Sequence, residues 1–123
     1  MESVTLRLPF PLSVNELWKN RKTGHGRGRI PTSGYTKWKQ DAGFLLNVQR
    51  PPTLEGRHRV TILIDQRRQG DADNRIKCIL DLLVLHKIIP GDQKKYVKGV
   101  SIDWDEVDEC LVTITKVENY ASA

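Results

Sequence analysis

No apolar run in this chain approaches the roughly 18 residues needed to cross a bilayer; the longest lie around Ile79–Leu85 and Gly43–Val48. The N-terminus has no charged leader followed by an apolar stretch and a small-residue cleavage site, so the expected location is the cytoplasm. Cysteine is scarce, with Cys78 and Cys110 only, and in a reducing compartment the two are expected as packed thiols rather than a bridge. Neither C-x-x-C nor H-E-x-x-H spacing links them to His25, His58 and His86, which argues against zinc. A G-x-x-x-x-G-K-[ST] loop and a G-x-G-x-x-G turn after a strand are both missing, so nothing points to a phosphate cradle for a nucleotide. The chain also lacks a G-x-S-x-G elbow, an internal repeat, a heptad series and a low-complexity tract, leaving serine catalysis and repeat architectures without support.

What is present is 123 residues, 38% hydrophobic and 28% charged, the profile of one soluble domain over residues 1–123 with a short tail at 118–123. Charge is unevenly placed. Residues 1–100 carry 19 Lys or Arg against 9 Asp or Glu, whereas residues 101–123 carry 1 against 6. A basic body of this kind suits a polyanionic partner, nucleic acid above all. Between Lys19 and Lys39 stand seven Lys or Arg, four glycines and no acid. With no apolar period and with spaced glycines, residues 19–33 read as a mobile basic loop. Trp18, Tyr35 and Trp38 flank it; they suit stacking on unpaired bases, although core packing is the better reading for Trp38.

The periodicities predict strands at Val4–Leu8, Arg59–Asp65, Tyr96–Ile102 and Cys110–Val117. They predict one helix from about Thr36 to the Pro51-Pro52 pair, and a second of about 14 residues after Asp73, capped by Asp73 or Asn74. The order β-α-β-α-β-β, with antiparallel character at its end, implies a single-domain α+β fold: one mixed or antiparallel sheet with two main helices packed against it.

Chemistry concentrates at Gly70-Asp-Ala-Asp-Asn-Arg-Ile-Lys77. Two carboxylates at i and i+2 in extended chain point the same way and converge on a hard cation. Lys77 follows within the first helical turn, and Asp92 in the turn after the helix is a third carboxylate, near the others only if the chain returns. Plainer readings stay open: Asp73 as a helix cap worth about 1 kcal/mol, Lys77 as its i+4 partner, and Asp92 as a turn residue. An EF-hand is excluded, since its sixth and twelfth positions would be Ile76 and Leu82 rather than Gly and Glu. A nucleotidyl transferase built on the D-x-D would need a nucleotide site that the sequence lacks.

Asp71-x-Asp73-Asn74-x-x-Lys77, the apolar helix containing Asp81, the following turn with Asp92, and the N-terminal Leu8-Pro-Phe-Pro-Leu-Ser-Val-Asn15 resemble the RusA-type Holliday junction resolvases, over Val4 to Val117. The resemblance implies a phage or bacterial magnesium-dependent endodeoxyribonuclease, with manganese able to substitute. It implies a homodimer that nicks four-way DNA junctions symmetrically in recombination and repair, without membrane or organic cofactor. Asp71, Asp73 and Asp92 are then the cation ligands and Lys77 the catalytic ammonium. Asn15, Lys19, Arg21, Lys22, Arg27, Arg29, Arg67, Arg68, Asn74 and Arg75 are expected to face DNA. The alternative is a non-catalytic nucleic-acid-binding domain with a basic surface.

Overall fold

The computed structural model describes residues 3–21 and 28–117. In order these form β1 (Ser3–Leu8), β2 (Trp18–Asn20), β3 (Arg29–Pro31), α1 (Ser33–Gln49), β4 (His58–Asp65), α2 (Ile76–Leu85), β5 (Val97–Asp105) and β6 (Cys110–Lys116), with single 3-10 turns at Val14–Glu16 and Asp73–Arg75. The fold is α+β: a four-stranded mixed sheet ordered β1-β6-β4-β5, a two-stranded sheet β2-β3, and two helices.

Alternation on three strands builds the core. Leu6 and Leu8 of β1, Val60, Ile62 and Ile64 of β4, and Cys110, Val112 and Ile114 of β6 are all buried. The intervening residues of β4 and β6, such as Thr61, Leu63, Leu111 and Thr113, are only half-buried, as in a sheet covered on one face. Each fully buried Ile or Leu contributes roughly 1.5–3 kcal/mol by leaving water. The helices supply the opposing layer with Trp38, Ala42 and Leu46 from α1, and Ile79, Leu82 and Leu83 from α2. Trp38 is core, as expected, and its indole N–H donates to the carbonyl of Phe10 at 2.9 Å, fastening α1 to the N-terminal segment.

Several boundaries differ from the sequence reading. α1 starts earlier, because Thr32 Oγ1 accepts from the amide of Tyr35; it stops at left-handed Arg50, ahead of the two prolines. α2 has 10 residues, not about 14, since residues 86–89 fold back onto its last turn through Ile88 N–H to Leu83 O at 2.9 Å. β5 and β6 do not pair with each other. β4 lies between them, parallel to β5 and antiparallel to β6, so a crossover through α2 joins β4 to β5. The ends of the expected basic loop are ordered as a hairpin, with Lys19 opposite Ile30 and Asn20 opposite Arg29; Lys22 and Arg27 lie outside the described residues.

Among the described residues no helix is long and apolar enough to cross a membrane. Cys78 and Cys110 are free and buried, and burial pushes each thiol up to about 12. Thiolate is the reactive form, so a disulfide reagent at about pH 8 is expected to leave both unlabelled until the protein unfolds. Rapid labelling of the native protein would contradict this packing.

Candidate metal and nucleic-acid site

The chain leaves β4 at Asp65, a residue only 5% exposed. Arg67 closes a two-pronged ion pair on it, with Nε to Oδ1 at 2.9 Å and Nη2 to Oδ2 at 2.8 Å. The Arg67 amide adds a third bond to Oδ1 at 3.0 Å. These donors hold the Asp65 carboxyl down at about 2, against 3.8 ordinarily. The loop that follows is thereby fixed at its root.

Gly70 and Arg75 shape the next step. Arg75 is buried and its guanidinium donates to three carbonyls, of Pro11 at 2.7 Å, Asp71 at 3.2 Å and Gln69 at 3.4 Å. It also lies over the Phe10 ring, 4.9 Å from the centroid, and 3.9 Å from a Glu16 oxygen. A buried cation needs this saturation, because an unpaired one carries a large desolvation cost. Gly70 has φ +114, and a Cβ there would stand 2.5 Å from Arg75 Nη2, so only glycine lets the loop wrap the guanidinium. Arg75 was expected to face DNA; its donors are instead spent inside the fold.

Asp71 and Asp73 project from this loop, both exposed. The chain between them is not extended, since Ala72 has helical dihedrals of −77° and −41°; the carboxylates therefore do not leave in parallel as from a strand. Neither Asp73 nor Asn74 caps α2, for the cap position falls on Arg75, without a side-chain bond. The 3-10 turn likewise has no side-chain cap. Neither carboxylate has a hydrogen-bond or ion-pair partner among the described residues. Asn74 Oδ1, next in the chain, is buried and accepts from nothing. Lys77 pairs with Asp81 at 3.1 Å rather than with Asp73.

Asp92 stands elsewhere. It follows α2, close to Tyr96, whose carbonyl accepts from the amide of His58 at the start of β4. Asp71 and Asp73 follow the opposite end of β4, and α2 between the two places spans about 15 Å. Among the described residues no three His, Cys, Asp or Glu side chains gather closely enough to hold a metal ion. Magnesium does not require three, since it commonly takes one or two carboxylates and keeps several waters. Two exposed, unengaged carboxylates two residues apart suit a hydrated cation of that kind.

The basic residues divide into two groups. Lys19, Arg21 and Arg29 are exposed on and beside the β2-β3 hairpin with no ion pair among the described residues. Asn15 is exposed nearby. Trp18 is 39% exposed and rests edge-on against buried Tyr35, ring centroids 5.7 Å apart. Tyr35 is raised by burial first and then by the Asp81 carboxylate. Arg67 and Arg68 form the second group and are already bound by carboxylates: Arg67 also reaches Asp108 at 3.0 Å, and Arg68 reaches both oxygens of Glu109 at 2.9 and 3.1 Å. A groove of about 360 Å³ runs beside the loop, lined among others by Phe10, Glu16, Arg68, Gln69 and Glu109.

The sequence reading missed the clamp made by Arg75. The signal was present, for positions 75, 78, 79 and 82 share one helical face and the last three are buried apolar residues. No family model matches the chain, and no curated protein matches it.

Two outcomes follow from this geometry. Because Asp65 is depressed in the folded state, its contribution to stability is present above its ordinary value and lost as pH falls through about 2. The urea midpoints of wild type and Asp65→Asn should therefore converge as pH drops from 4 towards 2; a constant gap would refute the assignment. Gly70→Ala, strained in φ and clashing with Arg75, is expected to lose about 1–3 kcal/mol by denaturant titration; a change near zero would mean that the loop is not wrapped as described.

Proposed function

We propose that this chain is a magnesium-dependent endonuclease for branched DNA, cutting four-way junctions as a homodimer. The observation that carries the reading is the pair Asp71 and Asp73, exposed and without a capping or ion-pair role among the described residues. The principal rival, Asp73 as a helix cap, loses its support with that geometry. The order of motifs shared with the RusA-type resolvases supports the same reading.

Asp71 and Asp73 would hold the cation. A bound magnesium supplies an activated water and neutralises charge growing on the phosphoryl oxygens. Lys77, a compact ammonium kept from straying by Asp81, meets the negative charge of the transition state or of the leaving oxygen. The free cations of the β2-β3 hairpin attract the phosphate backbone and offset repulsion by the aspartates. Trp18, steadied by Tyr35, offers its face to an unpaired base at the branch.

The position of Asp92 gives the dimer a purpose. If helices α2 of two subunits run antiparallel across a two-fold axis, each subunit's Asp92 meets the other subunit's Asp71 and Asp73, and both sites become complete together. Phe44, Val48 and Leu85 are exposed apolar side chains of the helical layer. Gly43, next to Phe44, lies against His86, so the three lie near the α2 end that leads to Asp92 and suit an isologous contact.

The deciding assay is nicking of a synthetic four-way junction in magnesium. Asp71→Asn, Asp73→Asn, Asp92→Asn and Lys77→Ala should each lower cleavage by about 100-fold or more while junction binding persists. Mixing inactive Asp73→Asn with inactive Asp92→Asn subunits should restore about a quarter of wild-type sites, since the mixed dimer then holds one intact site. Junction binding without nicking by wild type would leave the non-catalytic binding module as the answer. No recovery on mixing would refute the shared site.

A further inference from the structure

The end of β5 and the turn into β6 carry Asp103, Asp105, Glu106, Asp108 and Glu109 within seven residues, the most acidic stretch of an otherwise basic chain. It is fastened to the loop that leads into Asp71. The Asp65 amide donates to Glu109 O, and the Gln66 amide to Asp105 O, each at 3.1 Å. Its side chains sit on the two arginines of that loop. Asp108 takes a guanidinium nitrogen of Arg67 that Asp65 already shares, and Glu109 takes Arg68 through both oxygens. Arg68 lies over the Phe10 ring, 4.8 Å from its centroid, on the wall of the groove.

The Glu109 contact is more than an incidental surface pair. Glu109 has φ +59, a left-handed conformation that disfavours residues other than Gly, Asn and Asp. A glutamate there brings its carboxylate onto both Arg68 and the Phe10 amide, the latter at 3.0 Å. Asp108, in contrast, is 96% exposed, so water holds it about as well as Arg67 does, and it exchanges readily. Glu109 sets both oxygens on one guanidinium nitrogen, Nη2 of Arg68, a place that a phosphate oxygen can take.

We propose that Glu109 acts as an internal phosphate mimic, screening Arg68 so that DNA on this face must exchange a carboxylate for a phosphate. This rests on the reading that the face bearing Asp71 and Asp73 receives DNA. The exchange releases no net counterion at that arginine, so it adds little to affinity or to its salt dependence. The device lowers retention on DNA without removing the cation that orients it.

The test measures binding of a four-way junction and of a linear duplex in EDTA, where no cleavage occurs, across a salt series. Glu109→Gln should bind about twofold to fivefold tighter at about 100 mM salt. It should also steepen the slope of log K against log salt by about 0.9, as Arg68 becomes available. Glu106→Gln and Asp108→Asn each remove the same charge from the same turn without freeing an arginine, since Asp65 still holds Arg67, and each should give less than half the gain. Adding Arg68→Gln to Glu109→Gln should return the slope to wild type. Glu109→Asn, a residue suited to positive φ, keeps the test valid if Glu109→Gln folds poorly.

Equal gains from Glu106→Gln, Asp108→Asn and Glu109→Gln would overturn the proposal in favour of net charge alone, and so would an unchanged slope for Glu109→Gln. Wild-type nicking with unchanged binding by the variants would sink the mimic and leave the nuclease intact. Tighter, steeper binding with no nicking by any form would do the reverse.

Discussion

The Arg75 guanidinium is the contact on which the candidate site depends. Removed from water, it is satisfied by carbonyls of Pro11, Gln69 and Asp71 and by the face of Phe10. Two chain segments far apart in sequence meet on one rigid planar donor: the Pro-rich N-terminal stretch and the loop that leads from β4 into α2. A lysine could not make this contact, because its ammonium lacks the fixed fork. The positive φ of Gly70, the burial of Arg75 and the outward display of Asp71 and Asp73 are all parts of this one arrangement.

Neutralisation follows a different logic at each end of that loop. Asp65 is withdrawn from solvent and bound on both oxygens by Arg67, which makes it an anchor. Asp71 and Asp73, six and eight residues later, face outward with neither oxygen engaged among the described residues. Carboxylates of one kind therefore serve opposite ends, one to hold the chain and the others to remain available. The same contrast separates the hairpin cations Lys19, Arg21 and Arg29 from Arg67 and Arg68, which acids already hold.

Much of the fold was legible because alternation at β1, β4 and β6 and the 3.6-residue period of α1 and α2 are local properties. Strand order was not, because β6 inserts between β1 and β4 through contacts that no local pattern encodes. The β2-β3 hairpin was hidden by its glycines and its short strands, which bury almost nothing. At the candidate site the residue types were readable and their geometry was not. Ala72 turned out helical, Lys77 chose Asp81, and Asp92 fell at the far end of α2 because residues 86–89 return to the helix rather than along it. Arg75 was misread through composition, which ranks an arginine by charge before asking which face of its helix it occupies.

The central place of β6 bears on how the molecule acquires its shape. β1 has no neighbour in the main sheet except β6, with Val4 opposite Ile114 and Leu8 opposite Cys110. Until that late strand has left the ribosome, β1 and one edge of β4 must wait with unpaired amides and bare apolar side chains. Loop closure on this scale slows folding and lengthens the interval in which such edges can join a wrong neighbour. Assembly of the sheet is therefore closed by insertion of a strand rather than by growth at an edge.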